Sequence, residues 1–336
     1  MAITAKELAK QLGLSEAAVS LALNHKPGVS TATRKRVLEA AETAGYDFSR
    51  LKPVEPGKNS GSLYFVIYKK HGAVVTDTPF FTQLSEGIDA ACKELPYFLN
   101  IQYLHEDDDV AALLSGWKRS GCRGLLLLGT EMQLPDLLPF LKSDLPLVLL
   151  DNYFEEADVD SVLINNIKGA YTAADYLIRK RHTQPGYLHS SYSINNFEER
   201  ADGFYKAIRK NGMSTSRSIV HRLSPSVEGA YADMEELLSR GDPLADCYFA
   251  DNDLIAAGAA KALKEAGYRI PQDIAIVGFD NMPICTYIEP SLTTIHVPKQ
   301  YMGRMAVQRL HELICNPDSQ PIKLEISTTL QKRKSC

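Results

Sequence analysis

Four short runs carry side chains whose types could do chemistry. Asp107-Asp108-Asp109 and Asp251-Asn252-Asp253 set oxygen ligands side by side, His189-Ser190-Ser191 joins an imidazole to hydroxyls, and Tyr68-Lys69-Lys70-His71-Gly72 gathers two ammonium groups and a ring nitrogen. Consecutive acids cannot wrap one ion without distant ligands. The first acidic run stands where a helix begins, the place of a solvated cap. Asn252 and Asp253 also suit a helix start, and Asp253 is read as its cap. His189-Ser190-Ser191 is read as a strand end. The Lys-Lys-His run follows an apolar strand, where it could hold a phosphate or carboxylate; a solvated loop explains it equally well. GxSxG, GxxxxGK[ST], HExxH and GxGxxG are all absent, so enzyme chemistry has no motif to stand on. Cys92, Cys122, Cys247, Cys285, Cys315 and Cys336 form no CxxC pair. Neither zinc nor redox chemistry is indicated, no metal or cofactor is expected, and the thiols read as reduced.

The chain that must position these groups has 336 residues, 45% of them hydrophobic and 23% charged. That is globular composition, with length for about two or three domains. No apolar run approaches the ~18–20 residues of a bilayer span. Lys6 and Glu7 stand where a signal peptide needs an apolar core, so a cytoplasmic protein with no membrane partner is expected. The net charge of −4 conceals an asymmetry: residues 1–58 carry nine basic and six acidic side chains. A basic head on an acidic body suggests a polyanionic partner.

The head is built from short amphipathic helices. Thr4-Ala5-Lys6-Glu7 fits a capping box. Leu8 and Leu12 share a face, and Gly13 is a left-handed stop. Ser15 caps a second helix to about Leu23, with Val19 and Leu23 inward. Asn24–Gly28 is a turn, and Ser30 opens a third helix whose core face carries Val37, Leu38 and Ala41, ending at Gly45. A three-residue turn between the first two helices suits a helix-turn-helix unit, with Ala17, Ala18, Ser20 and Ala22 small enough to enter a major groove. A plain helical bundle fits the same spacing.

From Thr4 to Tyr46, including Ala18-Val19-Ser20, Leu23-Asn24, Thr33-Arg34 and Val37–Ala41, the head resembles that of the LacI/GalR transcription regulators. The resemblance implies operator DNA as partner. It puts Ser15, Glu16, Ala17, Ser20 and Leu21 at the recognition-helix face, and Thr4, Asn24, Ser30 and Arg34 at phosphate-facing positions. Two departures stand out. Leu21 occupies a position usually held by a polar base reader and offers only apolar contact. The family's hinge-helix pattern is missing from 47–61, where Glu55 falls at the place of an intercalating Leu and Pro53 and Pro56 disfavour a helix. Arg50-Leu51 could serve a shorter hinge.

After Ser62 the period changes to alternating strands and helices. Strands are expected at Leu63–Tyr68, Phe98–Leu104, Gly124–Leu128, Leu147–Leu150, Val162–Ile164, Tyr187–His189, Cys247–Ala250 and Ile274–Phe279, with amphipathic helices between them. So many βα units imply an α/β body of two doubly wound parallel sheets, with ligands at the strand ends where the lobes face. The expected domains are 1–46, a linker 47–61, and a body 62–336. Lobe 1 is assigned about 62–160 plus 293–322, and lobe 2 is assigned 161–292 plus 323–332. Pro79-Phe80-Phe81, Glu199-Arg200, Phe249–Asp253, Val277–Asp280 and Pro290–Ile295 extend the LacI/GalR resemblance through the body, which is also similar to periplasmic sugar-binding proteins. It implies that Phe80, Phe81, Asp151, Arg200, Phe249, Asn252 and Asp280 line the cleft. Carboxylate, amide and guanidinium groups can each bond adjacent hydroxyls, and the rings offer apolar faces. Arg200 and Asp280 are expected on opposite sides of a crevice in lobe 2, with Lys69 and Lys70 as candidate holders of an anionic group. The expected protein is a homodimeric repressor controlled by a sugar, phosphosugar or nucleobase-like effector. A protein co-effector is the open alternative; a solute-binding protein would have no reason to carry the head.

Overall fold

The computed structural model describes residues 4–23, 29–44, 46, 61–75 and 79–336, without the side chains of Thr31, Ala32, Arg34 and Glu42. The turn at 24–28, Asn24, the Arg34 side chain, Gly45 and the linker from Asp47 through Glu55 to Ser60 lie outside the described residues. The chain divides into two units, 1–60 and 61–336.

In the first unit, α1 (Ala5–Leu12), α2 (Glu16–Leu23) and α3 (Thr31–Thr43) follow in order. The Thr4 hydroxyl accepts the Glu7 N–H at 3.3 Å while Glu7 accepts the Thr4 N–H at 2.8 Å, so both arms of the capping box are closed. Gly13 ends α1 at φ 64°, a conformation that costs glycine nothing. Leu8, Val19, Leu23, Val37 and Ala41 meet in one small core. Ala22 joins that core, fully buried, instead of facing a groove as the sequence suggested. It lies three residues from Val19, on the same helical face.

The second unit begins with β1 (Gly61–Lys69), α4 (Pro79–Glu94), β2 (Tyr97–His105), α5 (Val110–Arg119), β3 (Cys122–Leu128), α6 (Leu134–Leu141), β4 (Leu147–Leu150) and β5 (Asp160–Ile164). It continues with α7 (Asn166–Arg181), β6 (Gly186–Ser190), α8 (Asn195–Lys210), β7 (Val220–Leu223), α9 (Val227–Arg240), β8 (Cys247–Ala250), α10 (Asp253–Glu265), β9 (Ala275–Asp280), α11 (Ile284–Tyr287) and β10 (Thr293–His296). It closes with α12 (Lys299–Cys315), β11 (Lys323–Ile326) and β12 (Thr329–Gln331). One sheet runs β11-β5-β4-β3-β1-β2 and the other β12-β10-β9-β8-β6-β7. All pairings are parallel except β10 with β12.

Four strand assignments differ from expectation. Gly61 already pairs with Tyr97, so it belongs to the sheet and not the linker. β5 stays in lobe 1 beside β4, although no helix intervenes between them. β10 extends the lobe 2 sheet and β11 the lobe 1 sheet, the reverse of the sequence assignment. The chain passes between lobes between β5 and α7, between β10 and α12, and between β11 and β12. Short apolar runs announce a strand but not its neighbour, which is decided by non-local pairing.

Helix α12 lies against α4, where a Cβ on Gly87 would fall 2.1 Å from the Gln300 carbonyl oxygen. From that helix Arg309 reaches under the sheet. Its Nε donates to Asp160 Oδ1 at 2.6 Å and its NH2 to the Gln320 carbonyl at 2.7 Å, while Asp160 also accepts the Ile322 N–H at 3.0 Å. The pair ties α12, β5 and the approach to β11 together. Removing one member strands a buried charge, typically at about 3–5 kcal/mol. Arg309→Met should lower the unfolding free energy of the full chain by about that amount in urea titrations. The double variant with Asp160→Asn should recover much of the loss.

Candidate functional site

A narrow cleft opens between the lobes of the second unit. Phe80 and Phe81 from α4, Thr130 beyond β3 and Asp151 beyond β4 form one wall. Asn196, Phe197 and Arg200 from α8, Asn252 before α10, and Asp280 at the end of β9 form much of the other. Parallel strands all point their carboxyl ends at this crevice, so residues just past those ends face it. Asp151 (φ 61°) and Asp280 (φ 104°) both hold left-handed backbones there. Non-glycine residues rarely adopt that region, and it turns the chain sharply out of each strand.

Arg200 is 4% exposed and bonded through each of its three nitrogens. Its Nε donates to Asn166 Oδ1 at 2.9 Å, NH1 to the Asp251 carbonyl, and NH2 to Asp280 Oδ1 at 3.3 Å. Its guanidinium carbon lies 3.8 Å from the centre of the Phe279 ring. Arg200 and Asp280 therefore touch one another, where the sequence placed them on opposite sides of a crevice. A buried cation is stable only beside its counter-charge, and that requirement draws the two together. Asp151 accepts the Thr130 hydroxyl at 2.7 Å. Burial pushes its carboxyl up to about 6, against the opposing effects of that bond and of Arg200.

Phe249 does not line the cleft. It is fully buried and stacks on Tyr187 at 5.3 Å. It lies within β8, a strand covered on both faces, whereas Asp151 and Asp280 reach the crevice from strand ends. Lys69 and Lys70 are not among the lining residues. Lys69 Nζ sits over the Tyr103 ring at 4.7 Å, and Lys70 Nζ lies 3.2 Å from both Glu106 and Asp136. The anion held by this loop is the protein's own: backbone amides from Lys70 to Val75 surround the Glu131 carboxylate.

The cap of α10 is Asn252, whose Oδ1 accepts the Ile255 N–H at 2.8 Å. Asp253, read from sequence as that cap, turns inward instead, to the Met282 N–H at 2.7 Å and the Thr294 hydroxyl at 2.5 Å. Asp109 does cap α5, as its run suggested, and His189 lies within β6 with Nδ1 2.7 Å from Asp251. Sequence reasoning passed over Thr130, Asn196 and Lys299. Asn196 donates to the Asp151 carbonyl at 3.2 Å, joining the lobes. Lys299, 2% exposed, donates to the carbonyls of Asp280 and Val297. A lysine directly after Pro298 at a helix start was the available signal, since cations are disfavoured there.

On the first unit, Glu16, Ala17 and Ser20 are exposed on α2 and Leu21 is half-buried beside them. Glu16 faces Lys6 at 3.9 Å. Thr4, Ser15 and Ser30 each use the hydroxyl as a helix cap, accepting from Glu7, Ala18 and Thr33. Two of the expected phosphate-facing residues, Thr4 and Ser30, thus stand at helix starts, where free amides and the helix dipole favour anions.

A helix-turn-helix unit followed by two parallel-sheet lobes around a polar cleft defines a ligand-responsive DNA-binding regulator. The family model "Bacterial regulatory proteins, lacI family" matches residues 4–48, and "Periplasmic binding protein-like domain" matches 174–336. The HTH-type transcriptional repressor PurR of Mannheimia succiniciproducens is 31% identical over 99% of this chain and 98% of its own length. The HTH-type transcriptional regulator GalS of Salmonella typhimurium is 31% identical over 91% of this chain and 88% of its own. Among solved structures, the transcriptional regulator CelR–cellobiose complex superposes with a TM-score of 0.72 at 26% identity, covering 99% of this chain and all of that one. A LacI family regulator from Enterococcus faecium with bound ribose gives 0.71 at 26% identity over 81% of this chain and 98% of its own. The chain belongs to the LacI family and is an effector-controlled, DNA-binding transcriptional regulator. Among the described residues no helix is long and apolar enough to cross a membrane.

Burial, reinforced by neighbouring Asp280, raises the Asp253 carboxyl to about 7. An unfolded aspartate ionises near 4, so between about pH 4 and 7 the folded state holds a proton the unfolded state has lost. This group therefore destabilises the fold progressively as pH rises through that window. Asp253→Asn cannot ionise. In urea titrations its stability relative to wild type should shift in its favour by a few kcal/mol from about pH 4 to 7.

Proposed function

We propose that the protein is a cytoplasmic repressor that binds a near-palindromic operator as a homodimer and is controlled by a neutral, polyhydroxylated effector of the saccharide class. The observation that carries this is the make-up of the cleft. Two carboxylates, Asp151 and Asp280, and the amides of Asn196 and Asn252 stand beside Phe80, Phe81 and Phe197. Arg200 is already neutralised by Asp280. Carboxylates accept from hydroxyls, the Asn252 amide donates, and the rings cover the apolar face of a sugar. Two acids and one paired cation disfavour a phosphorylated ligand. Cellobiose and ribose are the ligands of the two superposed regulators. Their chemistry supports the same class for this chain.

Regulation follows from differential affinity. An effector that binds one lobe angle more tightly than the other shifts the population by that difference and no more. Action is by binding alone, with no catalytic step.

A thermal-shift screen with ribose, cellobiose and their phosphate esters tests the reading. A neutral sugar at about 100 times its dissociation constant should add roughly 2.7 kcal/mol of stability, and its phosphate ester should add less. Arg200→Ala should abolish the response, and the buried Asp280 left without its cation should lower the unfolding free energy by about 3–5 kcal/mol. A preference for the phosphate esters would refute the neutral-ligand assignment.

For the head, Leu21→Arg should alter base preference in selection experiments, because a half-buried Leu supplies apolar contact where Arg would read guanine. Arg34→Ala, at an expected phosphate contact, should weaken all sequences alike. Changed preference with intact affinity would refute that role.

A further inference from the structure

Glu131 lies just beyond β3, is 6% exposed, and is the hub of the loop from Lys70 to Val75. Its Oε2 accepts the N–H groups of Lys70 at 2.9 Å, His71 at 3.0 Å and Gly72 at 2.9 Å. Its Oε1 accepts those of Val74 at 2.8 Å and Val75 at 2.9 Å. Gly72 adopts φ 65°, the left-handed step that lets successive amides converge on one anion. Burial opposes ionisation here, yet the amides of Val75, Val74, Gly72 and His71 outweigh it and hold the carboxyl below its usual range.

The loop so gathered has two outlets. Val74 is part of the cleft wall, beside Phe80 and Phe81. His71 meets Tyr192, which follows β6 in the other lobe, with ring centres 6.0 Å apart. One carboxylate thus shapes a cleft wall and its contact with the facing lobe, without lining the cleft itself.

We propose that Glu131 is a positioning residue for effector binding: its carboxylate templates the 70–75 loop, and the templated loop sets ligand affinity by holding Val74 in the cleft wall and His71 against Tyr192. The proposal rests on the cleft being the effector site. Glu131→Gln replaces one acceptor oxygen with a donor nitrogen. At least two loop amides then face N–H instead of oxygen, and the loop loses its template.

Hydrogen exchange on the full chain reads this without any ligand. In Glu131→Gln the amides of Lys70, His71, Gly72, Val74 and Val75 should exchange at least roughly tenfold faster, with β1 and β3 unchanged. Glu131→Asp keeps the charge on a shorter arm and should exchange more slowly than the Gln variant. Calorimetry with ribose and with cellobiose then measures affinity. Whichever sugar binds wild type should bind Glu131→Gln roughly tenfold or more weakly, while urea midpoint and effector-free operator affinity stay within about twofold. Unchanged loop exchange would overturn the proposal, as would faster exchange with unchanged sugar affinity. If neither sugar binds wild type, the saccharide assignment falls instead, and the exchange comparison still decides whether Glu131 templates the loop.

Discussion

The Arg200 guanidinium distributes its donors over three separate pieces of chain: Asn166 at the first passage between lobes, the carbonyl beyond β8, and the carboxylate at the end of β9. A planar fork is suited to this, since its donors diverge in one plane while its face rests on Phe279. Such burial is tolerable because all three nitrogens find an acceptor and the face rests on a ring. With the cation fixed, Asp280 can remain beside Asp253 and Asp151, three acids whose mutual repulsion would otherwise oppose the turn of the chain into the crevice. The carboxyls of Asp151 and Asp253 are pushed up first by burial, and Asp280 adds to the rise in both.

The bonds that cross between lobes are of another kind. Asn196 donates to the Asp151 carbonyl, Asn195 donates to Asn152 Oδ1 at 2.6 Å and the Tyr153 carbonyl at 3.1 Å, and Lys299 donates to the Asp280 carbonyl. Each pairs a side-chain donor with a neutral oxygen. The neutral amide bonds contribute only about 1 kcal/mol each and that of the charged Lys299 about 1.5–3 kcal/mol, because water competes for the partners once they separate. Apolar packing joins the lobes as well: one continuous core holds Leu63 and Val148 of the first sheet with Phe249 and Val277 of the second, and the His71 ring meets Tyr192 across the cleft.

In the head, stability and recognition share atoms. Thr4, Ser15 and Ser30 close the starts of three helices, and those same starts carry the amide dipoles that favour phosphate. Exposed Ala17 and Ser20 leave α2 narrow, while Val19, Ala22 and Leu23 fix it from behind.

Much of this was legible in the residues themselves. The capping box at Thr4–Glu7, the left-handed Gly13, and the apolar runs of β3, β4 and β8 are local signals, decided within a few residues by hydrogen-bond reach and side-chain period. So the head, the two-sheet body and strand-end positions such as Asp151 and Asp280 could be read before any coordinates. What tertiary structure alone decided is what each side chain meets. β10 and β11 exchanged lobes because pairing is settled by distant strands. Phe249 is core because β8 is covered on both faces and the residue stops short of the strand end. Asp253 gave up the cap to Asn252 because Met282 and Thr294, far along the chain, offer it donors. The Lys69–Gly72 run could be read equally as an anion site or a solvated loop; in the folded chain the backbone amides of Lys70, His71 and Gly72 bind the protein's own Glu131, some sixty residues away. Residue types state which partners a group can accept; only the folded chain brings one of them within reach.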